Sequence, residues 1–528
     1  MIKTFKISEF TRTKIFNSDL FNIFLLLIFV LLSRFLVLDG KYHGYGWDPG
    51  NFALAAEDYS LENARPHLPG YYLHIQIIKV FSAIFKNHFT SMIFLSVLYT
   101  CLSILFLYPM IRKWYNQLDT MLISLVILFN PFSWFYGLTS EIYAFDLFFS
   151  VIIVYFCLSP KLIFYSPIIL TLGTGVRPTS GVLIAPLYIY LWYYHIKNNK
   201  ISITKTIIFQ SFGILGFFVW FIPMIHSAGG LYSYIRLYKT VNPASGITLP
   251  HNIFELLSYI MYILPTIFLF ILGIYLSRAD NYEGVNFSTK YSGSYFKVLY
   301  YWLIPSILCF LLFRYSKGYI LLIMVALILF LTSLIRKSQV RQYTLISVII
   351  IQMSIFLFLP YRTPHVQIYF KRYDRDLSLG KVWFDRTFSG FNLTKSKISA
   401  LHECFFIIDS TIHTIEYKNS YILIDPTSIV SIRALQAQYP NIGFTKVFPL
   451  EDKLHYGIFK GINIENKNVI KQMLINSVII GSTDLLDTYL TEVRAHYIVR
   501  GDRWCSFRIS KPNVDQYLDF WSNGLLKK

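Results

Sequence analysis

The sequence predicts an α-helical polytopic membrane protein, with about eleven transmembrane helices followed by an α/β domain outside the membrane. Three observations carry this. The 528 residues are 55% hydrophobic and only 15% charged, with mean hydropathy +0.48, which is too little charge for a soluble chain of this length. Apolar runs recur along the first 361 residues. Beyond them the pattern changes to short alternating strand-like and helical stretches.

The runs are taken in order. Residues 21–38 (FNIFLLLIFVLLSRFLVL) are long enough to span and follow basic residues. No small-residue cleavage site comes after them, so the segment reads as a retained anchor. Further apolar runs lie near 89–111, 120–136, 142–158, 162–176, 179–194, 206–226, 255–276, 298–313, 318–335 and 342–361. Several fall short of the ~20 residues of a perpendicular span and would be tilted, broken or re-entrant. With the N-terminus inside, the inner segments (Lys3 to Lys14, Arg112, Lys113, Lys197 to Lys205, Arg336 to Arg341 among them) carry about twice the Lys and Arg of the outer loops. This places the N-terminus in the cytoplasm and the tail on the extracytoplasmic side; the richness in Lys, Ile, Asn, Phe and Tyr, which suits an AT-rich genome, points to a bacterial plasma (inner) membrane.

The expected domains are a membrane domain over 1–361 with a long first outer loop at 39–88, a linker over 362–394, and an extracytoplasmic α/β domain over 395–528. In the tail, CFFIID, SYILID, KVFPL, YGIFKG and SVIIGS read as strands, and TSIVSIRALQAQ and LLDTYLTEVRAHY as helices. The net charge of +19 is scattered between apolar runs, so it reads as topology signal and as a partner for anionic lipid or phosphate, with no nucleic acid implied. Of the five Cys, Cys101, Cys157 and Cys309 lie in apolar runs and Cys404 and Cys505 in the tail, and no metal-type Cys/His spacing exists.

The first loop is the part of the chain that reads as chemistry: GWDPGNFALAAEDYSLENARPHLPGYYLHI. Phe52, Ala55, Ala56 and Tyr59 recur at helical spacing and predict a short amphipathic helix along the interface. Asp48 before Pro49 fits an N-cap, a role compatible with one oxygen facing a substrate. Glu57, Asp58 and Glu62 read as its solvated face. His67 sits in a turn stiffened by Pro66, Pro69 and Gly70.

The pattern D-x-G-x-F-A-L-A-A followed by P-H-x-P-G-Y resembles the first outer loop of polyprenyl-phosphate-sugar-dependent glycosyltransferases of the GT-C fold, in a protein O-mannosyltransferase-like branch of bacterial membrane proteins. NPFSWFYGLTSEIYAF at 130–145 resembles that branch's small outer turn, and GVRPTSG at 175–181 is a weaker third match. The three keep the family's order and cover roughly the first 200 residues. One departure is Asn51, where the family often has an acid.

The resemblance implies an integral membrane glycosyltransferase that moves a hexose or pentose, with inversion, from a polyprenyl-phosphate donor to a protein, lipid or glycan acceptor on the extracytoplasmic face. It implies Asp48 as general base, with Glu141 as the second catalytic acid. Asn51, His67 and Tyr143 would shape the acceptor or sugar site. Arg34, Arg177, Arg314 and Lys317 would meet the donor phosphate; snorkelling or topology is the plain alternative for each, and a stronger one for Arg314 and Lys317 than for Arg34 and Arg177. No complete metal-ligand set stands out, and a divalent ion stays open as a cofactor. Asp374-Arg375-Asp376 is a D-x-D string in a basic linker. Two other readings remain: a flippase for lipid-linked glycans, which would use charges near mid-bilayer such as Asp146 and Arg34, and a non-catalytic membrane scaffold.

Overall fold

The computed structural model describes residues 19–35, 47–63, 65–241, 264–278, 292–312, 317–358 and 395–414, together with short stretches of the tail up to residue 509. A helix lies on each of the eleven apolar runs. They are α1 Asp19–Phe35, then α4 His88–Ile111, α5 Gln117–Leu128 with α6 Pro131–Tyr136, α7 Ala144–Cys157, α8 Ser166–Val176, α9 Pro178–Lys197, α10 Ile203–Ser227, α12 Leu264–Arg278, α13 Ser292–Leu312, α14 Ile320–Ser333 and α15 Ser338–Phe358. Among the described residues three helices, over 88–111, 203–227 and 338–357, are long and apolar enough on their own to cross a membrane. Two helices lie in the loop between the first two apolar runs, α2 Trp47–Glu57 and α3 Tyr72–Phe85, and α11 Leu231–Val241 follows α10.

Local chemistry sets many of the helix starts. Asn87 caps α4 by accepting from Thr90 N at 2.9 Å, and Asn116 caps α5 from Asp119 N at 2.8 Å. Asn130 caps α6 from Phe132 N, with Pro131 at the first helical position. The bundle centres on α4 and α7, which pack along each other; α14 lies on α7, α1 and α3 on α4, and α15 against α5 and α12.

Buried charges tie these helices to one another. Asp119 accepts from Arg341 Nε at 3.0 Å and from its Nη2, tying α5 to α15. Arg34 is fully buried at the end of α1 and donates to the Leu128 carbonyl at 2.8 Å. Its guanidinium lies over Phe129 and Trp134. A helix broken within the bilayer frees carbonyls that need donors, and Arg34 supplies one where α5 breaks before α6.

Two expectations for the first loop change. Helix α2 begins one residue before Asp48, which therefore sits in the first turn instead of at the cap. There its charge still faces the positive end of the helix dipole. The amphipathic surface helix is instead buried on most sides: Asn51, Phe52, Ala53, Ala55 and Ala56 are all buried. Small Ala side chains permit that close approach, and a pattern of small residues does not distinguish one wet face.

The tail carries helix α16 Lys395–Thr414 and strands β1 Ile422–Ile424, β2 Phe444–Lys446, β3 Val478–Ser482, β4 Ala495–Arg500 and β5 Trp504–Ile509. The sheet order is β2-β1-β3-β5-β4, with β1 parallel to β2 and β3, and β5 antiparallel to β3 and β4. SYILID and SVIIGS coincide with β1 and β3. CFFIID does not form a strand; it lies inside α16, whose Cys404, Phe405, Ile407, Ile408 and Thr411 are buried at helical spacing. A six-residue apolar run fits either period, and its flanks decide. Thr411 Oγ1 donates to Ser506 Oγ at 2.6 Å, seating α16 on β5. The last residues of LLDTYLTEVRAHY open β4, where a helix was expected; KVFPL contributes only Lys446 to β2, and YGIFKG lies outside the described residues, as do residues 362–394 with Asp374 and Asp376.

Candidate active site

The site grows from the first outer loop. Asp48 projects from the first turn of α2 and remains partly exposed. Helix α2 ends at Glu57, and a tight turn pairs Ser60 with Arg65 through two backbone hydrogen bonds of 2.7 and 2.9 Å. The chain then runs through Pro66, His67 and Pro69 into α3, both prolines following cis bonds. Gly70 at φ 113° and Tyr71 at φ 45° make the re-entry. Gly tolerates that region freely, whereas Tyr71 is a strained position held by its surroundings. The buried Tyr71 ring sits 5.1 Å from Phe52 and 5.0 Å from His67, and Tyr59 Oη fastens the Gly70 carbonyl at 2.7 Å. This brings His67 Nδ1 to 3.6 Å from Asp48 Oδ1, at the long edge of an ion pair.

The turn at Glu141 and the break at Arg177 reach the same place. Glu141 lies in the short connection between α6 and α7 and is 8% exposed. Burial, then the neighbouring charge of Asp48, push its carboxyl well above the usual range, against the pull of Arg177. Arg177 caps the end of α8 in an extended conformation before Pro178. It is buried, with Nη1 donating to Asp146 Oδ2 at 2.6 Å while Ser180 Oγ donates to Asp146 Oδ1. Its guanidinium lies over the ring of Tyr143 at 4.3 Å and over that of Tyr319 at 4.7 Å, two rings that meet edge to face. Gly318 lets Tyr319 reach it, for a Cβ there would stand 1.9 Å from the Tyr143 ring.

Several polar atoms in this neighbourhood have no hydrogen-bond partner among the described residues: both side-chain atoms of Asn51, His67 Nδ1, both ring nitrogens of His74, Glu141 Oε2 and Arg177 Nε. Buried polar groups are usually paired, so a concentration of unpaired ones suits a polar ligand. A carboxylate (Asp48), an acid that keeps its proton (Glu141) and a rigid guanidinium can together take, give and balance charge on an oxygen.

The structure thus brings together Asp48, Asn51, His67, Glu141, Tyr143 and Arg177, all expected from the sequence. Arg34 has different partners, the carbonyl and rings at the α5–α6 break. Lys317 lies on the short turn Lys317–Tyr319 beside Tyr143; its side chain and all of Arg314 lie outside the described residues. Sequence reasoning missed Tyr71, His74 and Tyr319, whose only signal is an aromatic or imidazole in an already crowded stretch. Asp146, weighed as a mid-bilayer transport charge, is fully engaged by Arg177 and Ser180. Among the described residues no group of three His, Cys, Asp or Glu is placed to hold a metal ion.

No family model and no curated protein matches the sequence. Two solved structures do resemble the chain. ArnT from Cupriavidus metallidurans in the apo state is 13% identical, with 92% of this chain and 97% of that chain covered and a TM-score of 0.50. The same protein bound to undecaprenyl phosphate is 14% identical over the same shares, again with a TM-score of 0.50. At this identity the likeness shows the fold alone: this chain has a helical membrane fold of the GT-C type.

Proposed function

We propose that this chain is an integral membrane glycosyltransferase that moves one sugar from a polyprenyl-phosphate donor to an acceptor hydroxyl at the extracytoplasmic face, in the manner of the O-mannosyltransferase-like branch its loop motifs resemble. The observation that carries this reading is the meeting of three sequence motifs, from 48–71, 141–146 and 177–180, around one group of buried, unpartnered polar atoms. The GT-C fold supports it, and so does undecaprenyl phosphate in the ArnT structure, a lipid of the class the donor would belong to.

In this account the acceptor oxygen attacks the anomeric carbon, and Asp48 takes its proton. The bond from that carbon to the phosphate oxygen breaks, and the polyprenyl phosphate leaves with the electron pair. Attack opposite the leaving group inverts the anomeric centre. Asp48 suits the base because it is the one carboxylate of the cluster that is partly open to an acceptor. His67 orients it. Glu141, protonated by its surroundings, donates a hydrogen bond and does not compete for the proton. Arg177, fixed by Asp146 and two tyrosine rings, offers Nε to the departing phosphate, with Lys317 and Arg314 at the outer turn. The membrane would be the plasma membrane, with the tail outside, covering the site or choosing the acceptor.

The test is donor turnover by the purified full chain in nanodiscs, with a panel of labelled polyprenyl-phosphate sugars and a membrane extract as acceptor. Transfer of label from one donor, with release of polyprenyl phosphate, is expected. Donor carried across the bilayer of a liposome without cleavage would overturn the reading in favour of a flippase.

A further inference from the structure

The first outer loop contains a buried imidazole that nothing in the mechanism uses. His74, in the first turn of α3, is 2% exposed, and neither Nδ1 nor Nε2 has a hydrogen-bond partner among the described residues. Its ring stands edge-on to Phe52, with centroids 5.0 Å apart, and His67 stacks on the same Phe52 at 5.8 Å. Phe52 therefore touches both the partly exposed His67 and the enclosed His74. Arg177 is close enough to act on the charge of His74, and its Nε is likewise unpartnered. A core histidine normally satisfies at least one nitrogen; His195, in the same protein, does so on the Cys157 carbonyl at 2.9 Å.

We propose that His74 is a specificity-determining residue that hydrogen-bonds an uncharged hydroxyl of the transferred sugar, an inference that rests on the functional reading above. The chemistry selects the group. Burial first, then Arg177, bring the imidazole down to about 3, so the ring is neutral and presents one N–H and one lone pair. A hydroxyl both donates and accepts and matches that pair. A phosphate only accepts and finds its cation in Arg177. Phe52 offers an apolar ring for the C–H face of a sugar, and Asn51, beside it on α2 and also unpartnered, offers further donors and an acceptor. The entry side is marked by Asp48 and His67, the partly exposed members of the group. A buried water has the same hydrogen-bonding chemistry, and the experiment separates the two.

The experiment uses the full chain in nanodiscs with its accepted donor and the set of singly deoxygenated analogues of that donor's sugar. Wild type, His74→Gln and His74→Phe are compared by kcat and KM for each. The expected result is that one analogue loses about 10- to 100-fold in kcat/KM with wild type. With His74→Phe the natural donor loses that same factor and the discrimination against that analogue vanishes, while His74→Gln restores part of it. Loss of thermal stability in His74→Phe with an unchanged ranking of analogues would mean a held water and overturns the proposal. Turnover by wild type without any His74-dependent discrimination overturns it while leaving the glycosyltransferase reading intact. Absence of turnover by wild type with every donor sinks both.

Discussion

At the scale of the residue, the chemistry depends on neighbouring groups holding each other in defined states. Glu141 keeps its proton because it is buried and faces Asp48. A carboxyl whose folded pKa is raised adds stability that is full below its unfolded value and is lost as pH rises through the folded one. Melting curves of wild type and Glu141→Gln from about pH 5 to about pH 9 check this. The stability of wild type relative to the Gln variant should fall steadily as pH rises; a flat difference would mean that Glu141 titrates like an exposed acid. Asp48, Glu141, His67 and Arg177 stood out in the sequence as candidates because acids, imidazoles and a Gly-Val-Arg-Pro turn at the ends of apolar runs are unusual. Tyr71, His74 and Tyr319 were not legible. Tyr is abundant in this chain, with 40 copies, and a ring aimed at a guanidinium leaves no mark in a pattern of polar and apolar letters.

At the scale of the element, the break between helices is as important as the helix. The α5–α6, α6–α7 and α8–α9 junctions each present a polar residue that a continuous helix would have hidden; Arg34 and Asn130 satisfy freed backbone groups at the first, and Ser96 Oγ donates to the Glu141 carbonyl at the second. The turn Lys317–Tyr319 before α14 joins them by a steric fit, Gly318 against the Tyr143 ring. Gly318→Ala places a methyl inside that ring and is expected to destabilise by about 1–3 kcal/mol, with turnover falling because Tyr319 no longer covers Arg177. Thermal melts and rates of Gly318→Ala, alone and combined with Tyr143→Ala, check it. Recovery of stability, but not of rate, in the double variant is expected, and simple additivity of the two losses would contradict the fit. Sequence located the elements well wherever the apolar period was long. It failed at CFFIID, where six apolar residues suit strand and helix alike, and at α2, where alanines hide how many sides are buried.

At the scale of the whole molecule, the likeness to ArnT extends over 92% of the chain at 13% identity, which is the behaviour of a fold specified by where apolar runs and breaks fall. The charge bias between successive loops was legible for the same reason. It predicts that Asn63→Cys, in the exposed part of the first loop, reacts with a membrane-impermeant maleimide added outside intact cells, whereas Asn199→Cys, exposed after α9, reacts only after lysis. The opposite pattern would invert the bundle and put the catalytic group on the cytoplasmic face. The order and pairing of the tail's strands had no such signal, since strands of three to six residues take their partners from tertiary packing.

The central claim is that Asp48 takes the acceptor's proton. The direct measurement is single-turnover transfer by Asp48→Asn beside wild type and Glu141→Gln, with donor saturating and folding verified by melting. The account predicts that Asp48→Asn binds donor normally and slows transfer by about 10²- to 10⁴-fold, while Glu141→Gln, which preserves a hydrogen-bond donor, keeps most of the rate. Equal rates for wild type and Asp48→Asn, with Glu141→Gln inactive, would contradict it and move the base to Glu141.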